Sequence, residues 1–487
     1  MPFGIAYDIV CTLSRWSIHG FYREIRTIGY ENVPSEGPII VCSTHYNMIV
    51  DPAVLANTFP HRRKLHFWAK NSLFGNKIFN IVLYSGGVVP VDRKTKNNKA
   101  LFAATFEVLR LGEVVALFPE GTSHSQSRLL ELKDGASWAA LEYASLVSDL
   151  ESDNGDNDKK IPAKALIVPV GLTYVQKSKY RSMVIAAYGP PIDVESFLED
   201  FKKDGRSTVK RLTKHIETEM EKLTINAQDW ETSNAATMAR RLLFSDDKRV
   251  LLEDYVKITQ SLVNFFTNTT SDEILSLKNN LNQYKTLLDE LHLSNTDIAR
   301  YENRSLTIPW ALYTFSCEFV KFAIQLPFFL PGLCFHWPIY VLGILSAKYE
   351  IYEESRAQNK IALGFAWLTI AYTTLFFYIW IIMFFTPLGF VLAAGAVFIF
   401  AWYHIALVDS HYDTFKELIS SFRLLAALCG GKGSLPRDQV ENLVEKRHVC
   451  LRSLKKISEE YRSKSDDMRV VLEHREREYT YEGKKLR

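Results

Sequence analysis

From Ile361 to Val408 the chain carries no Asp, Glu, Lys or Arg. A bilayer core of roughly 30 Å takes about 20 apolar residues as one helix, so this run is long enough for two. Inside hydrocarbon every backbone amide must find its partner within the segment, which makes both halves helical. Thr386-Pro387-Leu388-Gly389 is the natural turn between them, predicting spanning helices at about 361–385 and 388–408. Trp367, Trp380 and Trp402 are candidate interfacial anchors.

A second uncharged run, 322–347, is interrupted by Pro327, Pro331 and Pro338. It either spans once with a kink, or re-enters the leaflet it came from. A two-helix hairpin returns the chain to its starting side. If the segments before and after the hairpin share a compartment, 322–347 re-enters or lies in the interface, and this is the preferred reading. The 348–360 loop gives no clear positive-inside signal, because Lys348, Arg356 and Lys360 are mixed with three glutamates.

The rest of the chain is polar. Its 58 basic and 55 acidic residues leave a net charge of +3, too balanced for a nucleic-acid-coating protein. Cys11, Cys42, Cys317, Cys334, Cys429 and Cys450 form no C-x-x-C pair, which argues against a disulfide framework or a zinc site. Residues 1–24 have no basic stretch before an apolar run, and Asp8 and Arg15 interrupt the pattern. They read as an amphipathic helix, with Ile5, Ile9, Leu13 and Trp16 at helical spacing, rather than as a secretory leader. Two placements stay open for it: on a membrane surface, or against the next domain.

Residues 25–225 alternate strand-like runs (38–44, 88–93, 113–120, 165–174, 183–189) with helical ones such as 98–112 and 136–150. The expected fold class is α/β, a mixed and partly parallel sheet flanked by helices. A helical region follows at 226–305, the membrane region at 306–408 and a charged helical tail at 409–487, broken at Gly430-Gly431-Lys432-Gly433. Lys416 and Arg423 stand where they can meet lipid phosphates.

Four blocks end strands of the α/β region. The first runs Ser43-Thr44-His45-Tyr46-Asn47-Met48-Ile49-Val50-Asp51-Pro52. On one continuous helix, His45 and Asp51 would point about 240° apart. His45 must therefore sit in the loop after the strand, with Asp51 on the next helix reaching back to Nδ1–H and leaving Nε2 free. The second is Gly86-Gly87-Val88-Val89-Pro90-Val91-Asp92-Arg93, ending on a guanidinium suited to phosphate and followed by Lys94, Lys96 and Lys99. The third, Phe118-Pro119-Glu120-Gly121-Thr122-Ser123-His124, continues to Arg128 and Lys133. The fourth, Ile167-Val168-Pro169-Val170-Gly171, reads as a pocket wall or simply as core.

In this order, over roughly residues 35–195, the blocks resemble the glycerolipid acyltransferase family, which includes glycerol-3-phosphate and lysophosphatidate acyltransferases. The family's usual N-H-x4-D is altered here: Thr44 precedes the His, and five residues separate it from Asp51. The H-x-N-x-x-x-D-P arrangement, and E-G-T-S-H followed by L-L-E-L-K-D-G, are similar to fungal glycerol-3-phosphate/dihydroxyacetone-phosphate acyltransferases. Ser125-Gln126 stands where that subgroup usually has Asp-Arg. The resemblance implies His45 and Asp51 as the catalytic pair. As substrate-binding residues, Arg93 is expected to hold the acceptor phosphate, with Glu120, Gly121 and Ser123 shaping the site and His124, Arg128 and Lys133 as further phosphate candidates.

No G-x-S-x-G elbow is present and no Cys adjoins the His–Asp block, so direct transfer is expected, without an acyl-enzyme. The expected reaction moves a fatty acyl group from acyl-CoA to the sn-1 hydroxyl of glycerol 3-phosphate or dihydroxyacetone phosphate, the first step of glycerolipid synthesis. Backbone N–H groups near the second or third block would hold the oxyanion. No cofactor and no metal are expected, acyl-CoA being a co-substrate. The expected partners are the two substrates and a phospholipid bilayer, with no nucleic acid. The expected location is the endoplasmic reticulum membrane, multi-pass, with the site facing the cytosol. A lysophosphatidate or other lysophospholipid acceptor is the nearest alternative. An inactive lipid-binding membrane scaffold is the alternative of another class.

Overall fold

The computed structural model describes residues 3–70, 74–75, 77–91, 98–153, 162–244, 252–302, 307–429 and 437–485. The chain forms two compact units: Met1–Ile225 with Ser346–Ile361, and Asn226–Leu345 with Ala362–Arg487.

The first unit holds the strands β1 (Glu24–Ile28), β2 (Ile39–Ser43), β3 (Leu65–Lys70), β4 (Val89–Val91), β5 (Val114–Leu117), β6 (Leu166–Tyr174) and β7 (Met183–Tyr188). Its helices are α1 (Ile5–Phe21), α2 (Val50–Thr58), α3 (Lys77–Ser85), α4 (Asn98–Arg110), α5 (Gly135–Asp153), α6 (Leu198–Lys203) and α7 (Gly205–Lys222). The sheet runs β1-β7-β6-β2-β5-β3-β4. Every pairing is parallel except β6 with β7, so the α/β class with a mixed sheet is what the chain adopts. Strands β1 and β3 have no counterpart in the sequence reading. EIRTI is half exposed at the sheet edge, and LHFWAK lacks a clean two-residue period.

Alternate residues of the central strands enter opposite cores, as the strand period requires. Ile40, Cys42, Val115, Leu117 and Ile167 face one layer with Phe102, Leu141 and Leu212. Ile39, Val41, Val114, Ala116 and Val168 face the other with Ile18, Val54 and Leu55. α1 buries Tyr7, Ile18 and Phe21, while Ile5, Ile9 and Trp16 stay exposed. The helix packs against the domain through a face other than the stripe read from sequence, and that apolar stripe faces outward.

The segment 346–361, which the sequence groups with the membrane region, belongs to this unit. Ala357 is fully buried in the second core layer, with Ile361 packed against it.

The second unit contains α8 (Trp230–Leu243), α9 (Leu252–Asn268), α10 (Asp272–Glu290), α11 (Asn295–Glu302), α12 (Ile308–Tyr349), α13 (Glu353–Ile382), α14 (Pro387–Cys429), α15 (Arg437–Tyr461) and α16 (Asp466–Lys485), with the junction of α12 and α13 lying in the first unit. α12, α13 and α14 are each long and apolar enough to cross a membrane. α13 starts eight residues before the span read from sequence, and α14 continues beyond Val408 to Cys429. The turn precedes Pro387, which is the first residue of α14, where a missing N–H costs nothing. Phe384 and Phe385 take positive φ there, and the Thr386 hydroxyl accepts from Gly389 N–H at 3.0 Å.

The three prolines do not end α12, which is continuous from Ile308 to Tyr349. Its contacts nevertheless set it apart. Phe315 meets Phe422, Gln325 meets His411 and Phe335 meets Phe400, so α12 opposes α14. Trp367 donates to the Phe335 carbonyl and Gly364 lies against Ile339, so α12 also opposes α13. Yet α13 and α14 oppose each other, Phe376 packing on Phe390. One straight rod cannot run alongside and antiparallel to two rods that are themselves antiparallel. α12 therefore bends or crosses them obliquely, and Pro327, Pro331 and Pro338 remove the ladder hydrogen bonds that would resist bending. The Gly430–Gly433 break lies outside the described residues.

Candidate active site

β2 lies between β5 and β6 and parallel to both. The loops that follow these three strands therefore emerge side by side, where sites of open α/β sheets form. His45 follows β2, and Asp51 lies in the first turn of α2. The His45 Nδ1 is 2.9 Å from Asp51 Oδ2. Asp51 is fully buried, and such a carboxylate persists only with its oxygens satisfied. Its Oδ2 also accepts from the Asn47 N–H at 2.7 Å, and its Oδ1 accepts from the Tyr174 hydroxyl at 2.5 Å. With Nδ1–H donated to Asp51, the tautomer is set and Nε2 carries the lone pair. Among the described residues nothing bonds Nε2, and the side chain is 18% exposed. Phe118 stacks on the ring at 4.2 Å between centroids, which fixes its plane.

Tyr174 has no role in the sequence reading, although it closes the fourth strand run. Burial, and then the Asp51 charge, push its phenol well above the usual range, so it stays a donor. Tyr174→Phe leaves Oδ1 buried without that bond. It is expected to destabilise the fold by about 1–3 kcal/mol, read as a lowered Tm in detergent. An unchanged Tm would remove Tyr174 from this network.

Glu120 and His124 bond to each other and to backbone N–H groups of the neighbouring loops. Glu120 Oε1 accepts from the His45 backbone N–H at 2.7 Å, and Oε2 accepts from Leu130 N–H at 3.1 Å and pairs with His124 Nε2. The Gln126 N–H donates to His124 Nδ1 at 3.1 Å, so Nε2 carries the proton that Glu120 accepts. Both ring nitrogens and both carboxylate oxygens are engaged, and both residues are buried. Glu120 therefore ties the loop after β5 to the loop after β2, and His124 braces it.

Gly121 sits in the same loop at φ +77°, and the Lys133 side chain fills the space a Cβ would take. Ser123 is half-buried, and Arg128 and Lys133 are exposed. Arg93 lies outside the described residues. In the second block, the Gly87 carbonyl lies 2.6 Å from His66 Nδ1, and a Cβ on Gly87 would meet the Phe3 ring at 2.6 Å. These glycines allow close packing there.

Residues 24–173 match the family model described as Acyltransferase, and residues 235–352 match the one described as Glycerol-3-phosphate acyltransferase 2 C-terminal domain. The chain is similar to glycerol-3-phosphate O-acyltransferase 2 of Saccharomyces cerevisiae, 28% identical over 267 residues, which is 54% of this chain and 33% of that protein. It is similar to glycerol-3-phosphate O-acyltransferase 1 of the same yeast, 23% identical over 252 residues, 51% of this chain and 31% of that protein. The matched part thus spans about a third of the length of these curated relatives. Among solved structures, the 1-acyl-sn-glycerophosphate acyltransferase PlsC of Thermotoga maritima aligns with 43% of this chain and 79% of its own, at 18% identity and a TM-score of 0.30. The chain therefore carries an acyltransferase domain followed by a region matching the C-terminal domain of glycerol-3-phosphate acyltransferase 2.

Proposed function

We propose that the chain transfers a fatty acyl group from acyl-CoA to the sn-1 hydroxyl of glycerol 3-phosphate or dihydroxyacetone phosphate, at the surface of the endoplasmic reticulum membrane facing the cytosol. The observation that carries this is the His45–Asp51 pair, with Nδ1 spent on the carboxylate and Nε2 open. His45 Nε2 takes the acceptor hydroxyl's proton as the oxygen attacks the thioester carbonyl. Asp51 stabilises the imidazolium that forms. Collapse of the tetrahedral intermediate breaks the carbon–sulfur bond, and His45 returns the proton to the CoA thiolate. No covalent enzyme intermediate is needed.

The membrane helices support a lipid product. An acyl chain that partitions into the bilayer gains about 0.8 kcal/mol per buried CH₂. The yeast relatives are named glycerol-3-phosphate O-acyltransferases, which favours glycerol 3-phosphate as acceptor. The test offers purified protein acyl-CoA with glycerol 3-phosphate, dihydroxyacetone phosphate and lysophosphatidate side by side. Turnover confined to lysophosphatidate would overturn the acceptor assignment. Arg93 is proposed to hold the acceptor phosphate, with Gly121 and Ser123 shaping the site and Arg128 and Lys133 as further cations. Arg93→Ala is expected to raise the acceptor KM with little change in kcat, because it removes ground-state binding. A change confined to acyl-CoA dependence would move Arg93 to the donor side.

A further inference from the structure

Lys177 lies in the loop after β6, the strand beside the one that delivers His45. Its Nζ donates to the His124 carbonyl at 3.0 Å and to the Ser125 hydroxyl at 2.8 Å. Among the described residues no carboxylate forms an ion pair with it. An ammonium has three donors, and these contacts use two. Burial lowers its pKa from the ordinary lysine value, against the opposing pull of Glu353, Asp51 and Glu354. The Lys177 carbonyl accepts from Asn47 Nδ2 at 3.4 Å, which ties this loop to the His–Asp block. A half-buried cation held by neutral oxygens beside a catalytic pair is suited to an anion brought by a substrate.

Two carboxylates from far along the chain, Glu353 and Glu354, act on this cation. The Ser125 hydroxyl, while accepting from Lys177, donates to Glu354 Oε2 at 3.2 Å. Glu354 is at the α12–α13 junction, which is fastened to the same loops. Ser355 Oγ meets Met48 Sδ at 3.0 Å, the Ile49 N–H donates to Gln358 Oε1 at 3.4 Å, and Lys360 donates to the Ser178 carbonyl at 2.8 Å. The residue two positions before α2 and the residue after Lys177 are thus both held by one segment.

We propose that Lys177 and Ser125 contribute a further part of the subsite for the acceptor's phosphomonoester, and that Glu354 covers it until the phosphate displaces it. This rests on the acyltransferase reading. The logic is like-charge exclusion: Glu354 and a phosphate dianion cannot share Ser125 and the Lys177 field. Phosphate takes the ammonium's remaining donor and the Ser125 proton, and Glu354 must turn away. Lys177 then selects acceptors by charge, and Glu354 sets how tightly they bind.

The experiment compares glycerol 3-phosphate, lysophosphatidate and uncharged glycerol as acceptors, with inorganic phosphate as inhibitor. Lys177→Gln is expected to lower the ratio of kcat/KM for glycerol 3-phosphate over glycerol by about 10- to 100-fold. It should weaken inhibition by inorganic phosphate in parallel, and Lys177→Arg should restore most of the ratio. Glu354→Gln should lower the KM for the phosphorylated acceptor and sharpen inorganic phosphate inhibition, a gain that a merely structural contact would not produce. An equal loss on glycerol and glycerol 3-phosphate in Lys177→Gln would overturn the subsite. An unchanged or raised acceptor KM in Glu354→Gln would overturn the cover. The lysophosphatidate arm tells whether the phosphate is read from solution or from lipid. Wild-type protein that acylates no acceptor defeats the acyltransferase reading itself, whereas active wild type with unmoved variants defeats only this proposal. Should Lys177→Gln fail to fold, Ser125→Ala and Glu354→Gln test the same relay, and an unmoved acceptor KM in both sinks it.

Discussion

His45→Ala is expected to abolish nearly all acyl transfer. General-base assistance contributes about 10²–10⁴-fold, and the substitution removes the imidazole proposed to supply it. The reading is kcat for acyl-CoA-dependent acylation by the variant in membranes or detergent. Asn47, Met48 and Ile49 are held by Asp51, Tyr22 and the α12–α13 junction, so the loop should keep its shape. The acceptor KM should therefore change far less than kcat. Turnover near the wild-type level would remove His45 from the chemistry.

Asp51→Asn is expected to come close to that loss while preserving volume. Asp51 accepts three hydrogen bonds and donates none. An amide at this position has one acceptor oxygen and two N–H donors. If the oxygen serves Asn47 N–H and His45, the NH₂ faces the Tyr174 hydroxyl, and the imidazolium loses its counter-charge. If the NH₂ faces His45, Nδ1 must accept, and Nε2 then carries the proton and cannot act as a base. Loss of the orienting carboxylate in serine-protease triads costs up to about 10⁴-fold in kcat, and a similar fall is expected here. Asp51→Asn should also make the double variant with His45→Ala no worse than His45→Ala alone, because the carboxylate acts only through the ring. A further loss of tenfold or more in the double variant would show that Asp51 touches the substrate independently.

The His–Asp geometry was legible because a short spacing leaves few ways to bring two side chains together. Helix periodicity excludes a shared helix, and the remaining solution, loop plus first helical turn, is what the structure contains. Glu120 and His124 show the opposite case. They sit in the most distinctive block, but besides each other their partners are the backbone N–H groups of His45, Gln126 and Leu130. Residue type says nothing about such bonds. Tyr174 was in view as the end of a strand, but its bond to Asp51 depends on β6 lying beside β2. Lys177 and Glu354 carried no motif at all.

By itself the sequence determined the long apolar helices, the alternation that makes a partly parallel sheet, and the pairing of His45 with Asp51. Each follows from a local rule: uncharged length, periodicity, or the reach of a side chain over a few residues. Only the tertiary structure decided that α12 opposes both its neighbours, that Glu120 is a brace, and that the α12–α13 junction packs into the α/β unit beside Ser125 and Lys177. Those outcomes depend on contacts between residues about 50 to 300 positions apart. Strand order and the burial of Ala357 set such contacts, and no local pattern of apolar or charged residues encodes them.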